Sequence, residues 1–127
     1  MKELQQIPFQ LGKEYENWEF DLEPVETTQT YDKYSYVNNE PQELFGIIAT
    51  QVLLTFNLDI LIQVEYQFDL KYFNLLKQRL QEILPVDTAD QIDGEMKWEN
   101  EEVVANLIRS KIAIFKITDK KYESYLD

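Results

Sequence analysis

One stretch, residues 44–70, constrains the fold of this chain more than any other part of the sequence. In its second half, apolar and polar side chains alternate, with Leu61 as the one exception. The apolar set is Ile60, Ile62, Val64, Tyr66, Phe68 and Leu70, and the polar set between them is Gln63, Glu65, Gln67 and Asp69. Because successive side chains of a strand point to opposite faces, this pattern predicts a strand with one buried and one solvated face.

The first half of the stretch, residues 44–56, is apolar at nearly every position. Such a run is typical of a strand covered on both faces or of a buried helix. The tripeptide Asn57-Leu58-Asp59 separates the two halves, and Asn and Asp favour turns because they tolerate left-handed backbone. We therefore predict a long antiparallel hairpin at the centre of a sheet.

Further strands are predicted before this hairpin. Ile7, Phe9 and Leu11 alternate around Pro8, which restricts any strand there to a sheet edge. Residues 15–23 show a clear alternation that ends at Pro24, and predict a strand. Its apolar face would carry Trp18, Phe20 and Leu22, and its charged face Glu19, Asp21 and Glu23. Residues 25–37, rich in Thr and Tyr, predict a shallowly buried strand.

After residue 70 the apolar spacing changes to three and four. Tyr72, Phe73, Leu76, Leu80, Ile83 and Leu84 form one stripe, which predicts an amphipathic helix ending at Pro85. Residues 86–97 form an acidic connection whose Asp87, Asp90 and Asp93 lack the ligand spacing of a calcium-binding EF-hand loop.

A second major helix is predicted from Asn100, as its cap, to Ile117. Its apolar stripe would be Val104, Leu107, Ile108, Ile112 and Phe115. Residues 112–117 are β-branched enough to form a strand instead, and Thr118 is a candidate cap for a short final helix.

These elements predict a single α+β domain over residues 1–127. It would contain an antiparallel sheet of about four or five strands in the N-terminal two-thirds, with two or three helices packed on one face.

Charge is the most unusual bulk property. The chain has 24 Asp and Glu against 12 Lys and Arg, a net charge of −12. Such a field repels phosphate backbones and anionic membranes, so direct binding of nucleic acid or of a membrane is not expected. It is compatible with a basic protein partner, and equally with an acidic surface that only provides solubility. With no cysteine, no apolar leader and no run long enough for a membrane span, a cytoplasmic location is the default expectation.

The sequence predicts no catalytic, cofactor-binding or metal-ligating residue. It contains no histidine and no cysteine, and its glycines Gly12, Gly46 and Gly94 do not form a phosphate-binding loop. Paired carboxylates can support hydrolysis, but sequence spacing does not single out a pair among the 24 acids. A carboxylate-based hydrolase is therefore kept only as a second alternative.

The predicted order of elements resembles the SecB-type export chaperones and their small Gram-positive relatives. The resemblance rests on Phe9-Gln10-Leu11, on the hairpin at residues 44–70, and on the predicted helix at residues 100–117. It implies a tetrameric protein in which apolar grooves hold unfolded clients. The proline of that family's main helix is absent from Ala105-Asn106-Leu107-Ile108-Arg109.

Two functional hypotheses follow. The first is a non-catalytic protein-binding domain, chaperone-like or adaptor-like and able to form a homo-oligomer, that uses Tyr31, Tyr34 and Tyr36 as exposed aromatics. The alternative is an acidic inhibitor or nucleic-acid mimic that binds the basic surface of a target enzyme. Its binding surface would be a negative plate formed by two neighbouring strands, with Glu19, Asp21 and Glu23 on one and Glu65 and Asp69 on the other.

Overall fold

Ten strands and one α-helix are present in the part of the chain that the structure describes. It is a computed structural model that describes residue 4, residues 6–84, the backbone of residues 90–92, and residues 95–126. The strands are β1 (Leu22–Thr27), β2 (Asp32–Tyr36), β3 (Glu43–Leu44), β4 (Ile47–Ile48), β5 (Gln51–Asn57), β6 (Ile60–Phe68), β7 (Asp90–Ile92), β8 (Glu95–Glu99), β9 (Val103–Arg109) and β10 (Ala113–Asp119). Eight of them form one sheet in the order β1-β2-β5-β6-β10-β9-β8-β7, and β3 pairs with β4 separately. All pairs are antiparallel.

The predicted central hairpin is confirmed as β5 and β6, but residues 44–48 of its predicted first half belong instead to the separate β3–β4 hairpin. Leu58 and Asp59 form its two-residue turn with φ angles of 47° and 68°, the left-handed backbone that tight hairpins require. The register shifts between Thr55 and Phe56, so that Leu61 rather than Ile62 lies opposite Phe56. The predicted alternation therefore holds from Val64 onward and breaks at the start of β6, where both Leu61 and Ile62 are fully buried.

The two faces of the large sheet differ in what covers them. The core face carries Leu54, Val64 and Phe115, which belong to one hydrophobic cluster. That cluster also contains residues of the N-terminal segment, of the β3–β4 hairpin and of the α-helix, so these three pieces cover the core face. The opposite face, which we call the polar face, carries Glu65 and Lys116 at its centre.

The predicted amphipathic helix is confirmed as α1, Phe73–Ile83. It buries Phe73, Leu76 and Leu80, whose spacing of three and four places them on one side of the helix. Pro85, the predicted terminator, lies outside the described residues. So do Asp87 and Asp93 of the acidic connection.

The predicted α+β fold class is wrong: the main sheet has eight strands rather than four or five, and four of them lie after residue 89 rather than in the N-terminal two-thirds. Residues 100–117, predicted as a helix, form the β9–β10 hairpin, and α1 is the one α-helix among the described residues. Both faces of β9 bury apolar side chains: Ala105 and Leu107 on the core face and Val104 on the polar face. A strand that is apolar on both faces reproduces helical spacings, which explains the error.

Asn100 caps a turn, but the turn joins two strands. Its side-chain oxygen accepts hydrogen bonds from the backbone N–H groups of Glu102 and Val103, each at 2.8 Å. At residues 112–117, where helix and strand were both open, the chain is the strand β10. The final element is a 3-10 helix, Lys120–Tyr125, capped by Asp119 rather than by Thr118.

Of the N-terminal strand predictions, the one at residues 25–37 is confirmed in part, as the end of β1 and the half-buried β2, whereas those at residues 7–11 and 15–23 are wrong. Two 3-10 turns, Tyr15–Asn17 and Glu19–Asp21, precede β1, which begins only at Leu22. Residues 7–11 form no strand, although Phe9 is buried and its ring centroid lies 4.8 Å from that of Tyr36. Aromatic side chains thus anchor this segment to the core face without a strand ladder.

The turn of the central hairpin offers a test of its backbone. Leu58 is exposed but holds a positive φ that Asn and Gly adopt at lower cost. Combining Leu58→Asn with Asp59→Gly should raise the free energy of unfolding by about 1 kcal/mol in urea titration. Leu58→Val should lower it, because β-branched residues resist left-handed backbone. Equal stability of wild type, the double variant and Leu58→Val would contradict the left-handed backbone assigned to this turn.

The burial of Tyr66 predicts that the folded protein loses stability at alkaline pH. Burial raises the pKa of its hydroxyl above the ordinary value of 10.0. Above pH 10 the unfolded chain therefore releases this proton while the folded chain retains it, so stability falls as the pH rises. Tyr66→Phe should reduce the slope of stability against pH above 10 in urea titrations. A slope unchanged by Tyr66→Phe would contradict this assignment.

Candidate protein-binding surface

The three candidate tyrosines do not form one exposed patch. Tyr31 is only 7% exposed, and its hydroxyl donates a hydrogen bond of 2.8 Å to Glu26. Tyr34 and Tyr36 lie on the core face of β2, half-buried, where Tyr34 is paired with Leu54. All three side chains pack within the fold rather than projecting into solvent.

Aromatic neighbours surround the two tyrosines on the core face. The ring centroid of Tyr34 lies 5.3 Å from that of Tyr15 and 5.8 Å from that of Phe56. Burial raises the pKa of both hydroxyls, with a smaller effect from Asp32 on Tyr34 and from Asp21 on Tyr36. Both phenols therefore stay neutral at physiological pH, as expected of packing residues.

The candidate acids are divided between two places. Glu19 and Asp21 belong to a 3-10 turn, and Glu23 to β1 at the edge of the sheet. Glu23 and Glu65 do share one cross-strand row of the polar face, but β2 and β5 lie between their strands. Three strand spacings separate them by about 14 Å, so they do not form the predicted plate of neighbouring strands.

Glu65 is engaged within its own chain. Its side chain is 8% exposed and lies 3.7 Å from the ammonium group of Lys116, which is 31% exposed. The amide of Gln67 donates a second bond, of 2.6 Å, to the other carboxylate oxygen. Asp69, the remaining candidate, accepts a hydrogen bond from the backbone N–H of Lys71 and caps a 3-10 turn. Glu65 and Asp69 thus have structural partners.

The unequal burial of Glu65 and Lys116 predicts unequal costs of mutation. Lys116→Met should lower the free energy of unfolding by about 1–3 kcal/mol, because it leaves a buried carboxylate without its cation. Glu65→Gln should cost less than about 1 kcal/mol, because Lys116 can extend into water. Urea titration measures both variants, and a larger cost for Glu65→Gln would contradict this description.

A separate acidic surface lies before and along β1. Residues 14–26 contain six carboxylates and no Lys or Arg. They are Glu14, Glu16, Glu19, Asp21, Glu23 and Glu26, of which all but Asp21 are exposed. No ion pair between any of them and the described part of the chain is present. Their negative charge is therefore available to a partner.

Phe20 projects from the middle of this acidic segment. It is 93% exposed, the most exposed of the large apolar side chains on the described surface. Trp18 and Leu22, two residues to either side, pack against the hydrophobic core. The backbone between them is held by a hydrogen bond from Asp21 N–H to the Trp18 carbonyl, at 2.9 Å. Phe20 is thus held outward by anchors on both sides.

The backbone of Val37 lies next to that of Asp21, the residue after Phe20. Its backbone N–H donates to the carbonyl of Asp21 at 2.8 Å, and its side chain is exposed. We call the group formed by Phe20, Val37, Glu19, Asp21 and Glu23 the Phe20 surface. It combines two exposed apolar side chains with three carboxylates. Of its members, sequence analysis identified the three acids.

Sequence analysis missed Phe20 because the alternation assigned it to the buried face. The 3-10 turn Glu19–Asp21 changes the direction of successive side chains, so that Trp18 and Leu22 turn inward and Phe20 turns outward. A spacing of four between Trp18 and Leu22 also fits a helical turn, and this was the available signal.

The outer edge of β1 is poorly suited to pairing with another strand. The backbone carbonyl of Asp21 points towards β2. Because backbone hydrogen-bonding groups alternate in direction along a strand, those of Leu22 and Pro24 point towards the free edge. Pro24 has no N–H to donate there, and the register shifts between Pro24 and Glu26. Both features protect a sheet edge against strand addition.

Comparison with protein-family models, with curated proteins and with solved structures finds no match for this chain. Among the described residues, no helix is long and apolar enough to cross a membrane. The surface features of the chain itself therefore carry the functional argument.

Proposed function

We propose that this protein is a non-catalytic protein-binding domain that engages a basic protein partner through the Phe20 surface. The observation that carries the proposal is the 93% exposure of Phe20 amid carboxylates that have no cation partner in the described chain. A phenylalanine held in water forgoes about 1.5–3 kcal/mol of burial free energy, which a partner with an apolar pocket would recover.

The surrounding charge specifies the kind of partner. Glu19, Asp21 and Glu23 lie within three residues of Phe20 in the sequence, and the whole chain carries a net charge of −12. A partner with Lys and Arg around an apolar pocket would gain attraction at the rim and hydrophobic burial at the centre. Charge complementarity of this kind increases the association rate and confers specificity. The attraction between the two proteins weakens as salt screens the charges.

Of the two predicted binding modes, recognition of a basic surface has the better support. A chaperone-like mode requires a continuous apolar groove, whereas exposed apolar side chains such as Phe20, Ile48, Leu58 and Leu75 lie on separate elements. Addition of a client strand at β1 is opposed by Pro24. Side-chain recognition at a single projecting ring fits these constraints.

Affinity capture with purified baits tests the proposal. The wild-type chain, Phe20→Ala and Leu58→Ala are immobilised, and proteins bound from an extract of the source cells are quantified by mass spectrometry. Leu58 is a matched control because it is 88% exposed and lies beyond the opposite end of β5 from Val37. We expect a protein of pI above about 9 that binds wild type and Leu58→Ala, with Phe20→Ala weakening binding by about tenfold or more.

Salt dependence provides the second readout. Raising the ionic strength should release the basic partner from the wild-type bait, because added salt screens the attraction between solvent-exposed charges. A captured set that is the same for all three baits, or that contains no basic protein, would contradict the proposal. Circular dichroism of Phe20→Ala should match wild type, since an exposed side chain contributes little to folding.

A further inference from the structure

The chain after β10 crosses one end of the large sheet. Its 3-10 helix, Lys120–Tyr125, extends to the turn between β1 and β2, where the hydroxyl of Thr30 donates a hydrogen bond of 2.8 Å to the Tyr125 carbonyl. Because β6 and β5 lie between β10 and β2, this segment spans about 14 Å across the ends of those strands. We call Lys120–Tyr125 the strap.

The strap leaves the sheet where the N-terminal segment takes its place beside β6. The pairing of β10 with β6 ends at Thr118 and Gln63. Leu61, two residues before Gln63, instead exchanges backbone hydrogen bonds of 2.9 Å with residues 12 and 13. The N-terminal segment reaches this position from the core face, where Phe9 is packed, and this leaves the polar face to the strap.

Burial along the polar face supports this position of the strap. Four strands contribute one side chain each to the cross-strand row nearest the strap, and these side chains are between 1% and 8% exposed: Thr55, Gln63, Thr118 and Val104. At the other end of the same face, the same four strands carry side chains that are exposed or half-buried: Gln51, Gln67, Ile114 and Ile108. An open sheet face would leave both rows in contact with solvent, so the row nearest the strap has a cover.

The two ends of the strap differ in how they are attached. At its start, the backbone N–H of Lys120 donates to the Glu102 carbonyl at 2.9 Å, and the Lys120 ammonium lies 3.2 Å from the Glu99 carboxylate. At its far end, the hydrogen bond from Thr30 joins two exposed residues. A short 3-10 helix also has poorer hydrogen-bond geometry than an α-helix. The far end can therefore open at a lower free-energy cost than unfolding of the sheet.

From these observations we propose that the strap is a lid on the polar face, which opens from its Tyr125 end while the sheet stays folded. The hydroxyl of Thr30 is its latch, and opening uncovers the row that contains Val104. The strap thereby controls access to a second surface of the protein. This proposal is independent of the Phe20 surface, which shares no residue with the strap or with the covered row.

Thiol labelling of the full chain with iodoacetamide tests whether the strap opens. The chain has no cysteine, so a single introduced thiol reports access of the reagent to its own position. Val104→Cys places the thiol under the strap, whereas Ala105→Cys, one residue further along β9, places it on the core face. Ser110→Cys, at an exposed residue of the β9–β10 turn, is the freely accessible reference.

The labelling rates should fall in a fixed order. We expect Val104→Cys to react at least about tenfold faster than Ala105→Cys, because local opening is more frequent than global unfolding, and at least about tenfold more slowly than Ser110→Cys. Urea titration of each variant gives the rate that global unfolding alone would produce, so a difference in stability between the variants is not mistaken for opening of the strap.

A second substitution in the Val104→Cys protein tests the latch. Thr30→Val removes the hydroxyl and should raise the labelling rate about fivefold, the effect expected from the loss of one hydrogen bond. Thr50→Val is the matched control and should leave the rate unchanged. The hydroxyl of Thr50 is also exposed and donates to a backbone carbonyl, that of Gln67, but at the opposite end of β5 from Thr30. Labelling of Val104→Cys at the rate of global unfolding, labelling as fast as Ser110→Cys, or no increase with Thr30→Val would overturn the proposal.

Discussion

The pairing of β5 with β6 is the constraint on which the rest of the sheet depends. This hairpin lies between β2 and β10, so its register determines which side chains of all its neighbours face the core. A slip of β6 by one residue against β5 would move Val64 to the polar face and Glu65 into the hydrophobic cluster. The two-residue turn at Leu58 and Asp59 prevents that slip, because its left-handed backbone joins the strands in one register.

The exposure of Phe20 follows from how the sheet ends. β1 is an edge strand, and the N-terminal segment before it crosses to the core face, where Phe9 and Trp18 are packed. The short 3-10 turn Glu19–Asp21 makes this crossing, and its middle residue points away from the core. The acidic residues around it then remain in solvent. Core packing of the flanking residues thus produces the Phe20 surface.

Local sequence signals predicted some elements well and others poorly. The central hairpin and α1 were predictable because each combines a strong period with a turn or one-sided burial. The β9–β10 hairpin was not, since β9 buries Val104 on one face and Leu107 on the other and so has no period of two. Asn100 gave a correct signal for a turn, but a cap alone does not distinguish the start of a helix from the start of a hairpin.

The candidate site was predictable only in part, and for a physical reason. Charge patterning identified Glu19, Asp21 and Glu23, of which Glu19 and Glu23 are exposed and Asp21 is half-buried. It could not identify Phe20, whose exposure depends on the backbone direction that the packing of Trp18 and Leu22 imposes. Nor could it show that Glu65 pairs with Lys116, because that contact joins residues from distant parts of the sequence.

The central claim is that Phe20 projects into solvent from a folded sheet edge, and hydroxyl-radical footprinting of the free protein tests it most directly. Mass spectrometry would compare the modification rate of Phe20 with those of Phe9 and Phe56, which are 3% and 1% exposed. The structure predicts rapid modification of Phe20 together with protection of the other two. Protection of Phe20 equal to that of Phe9 would contradict the account, because the ring would then be packed and unable to anchor a partner.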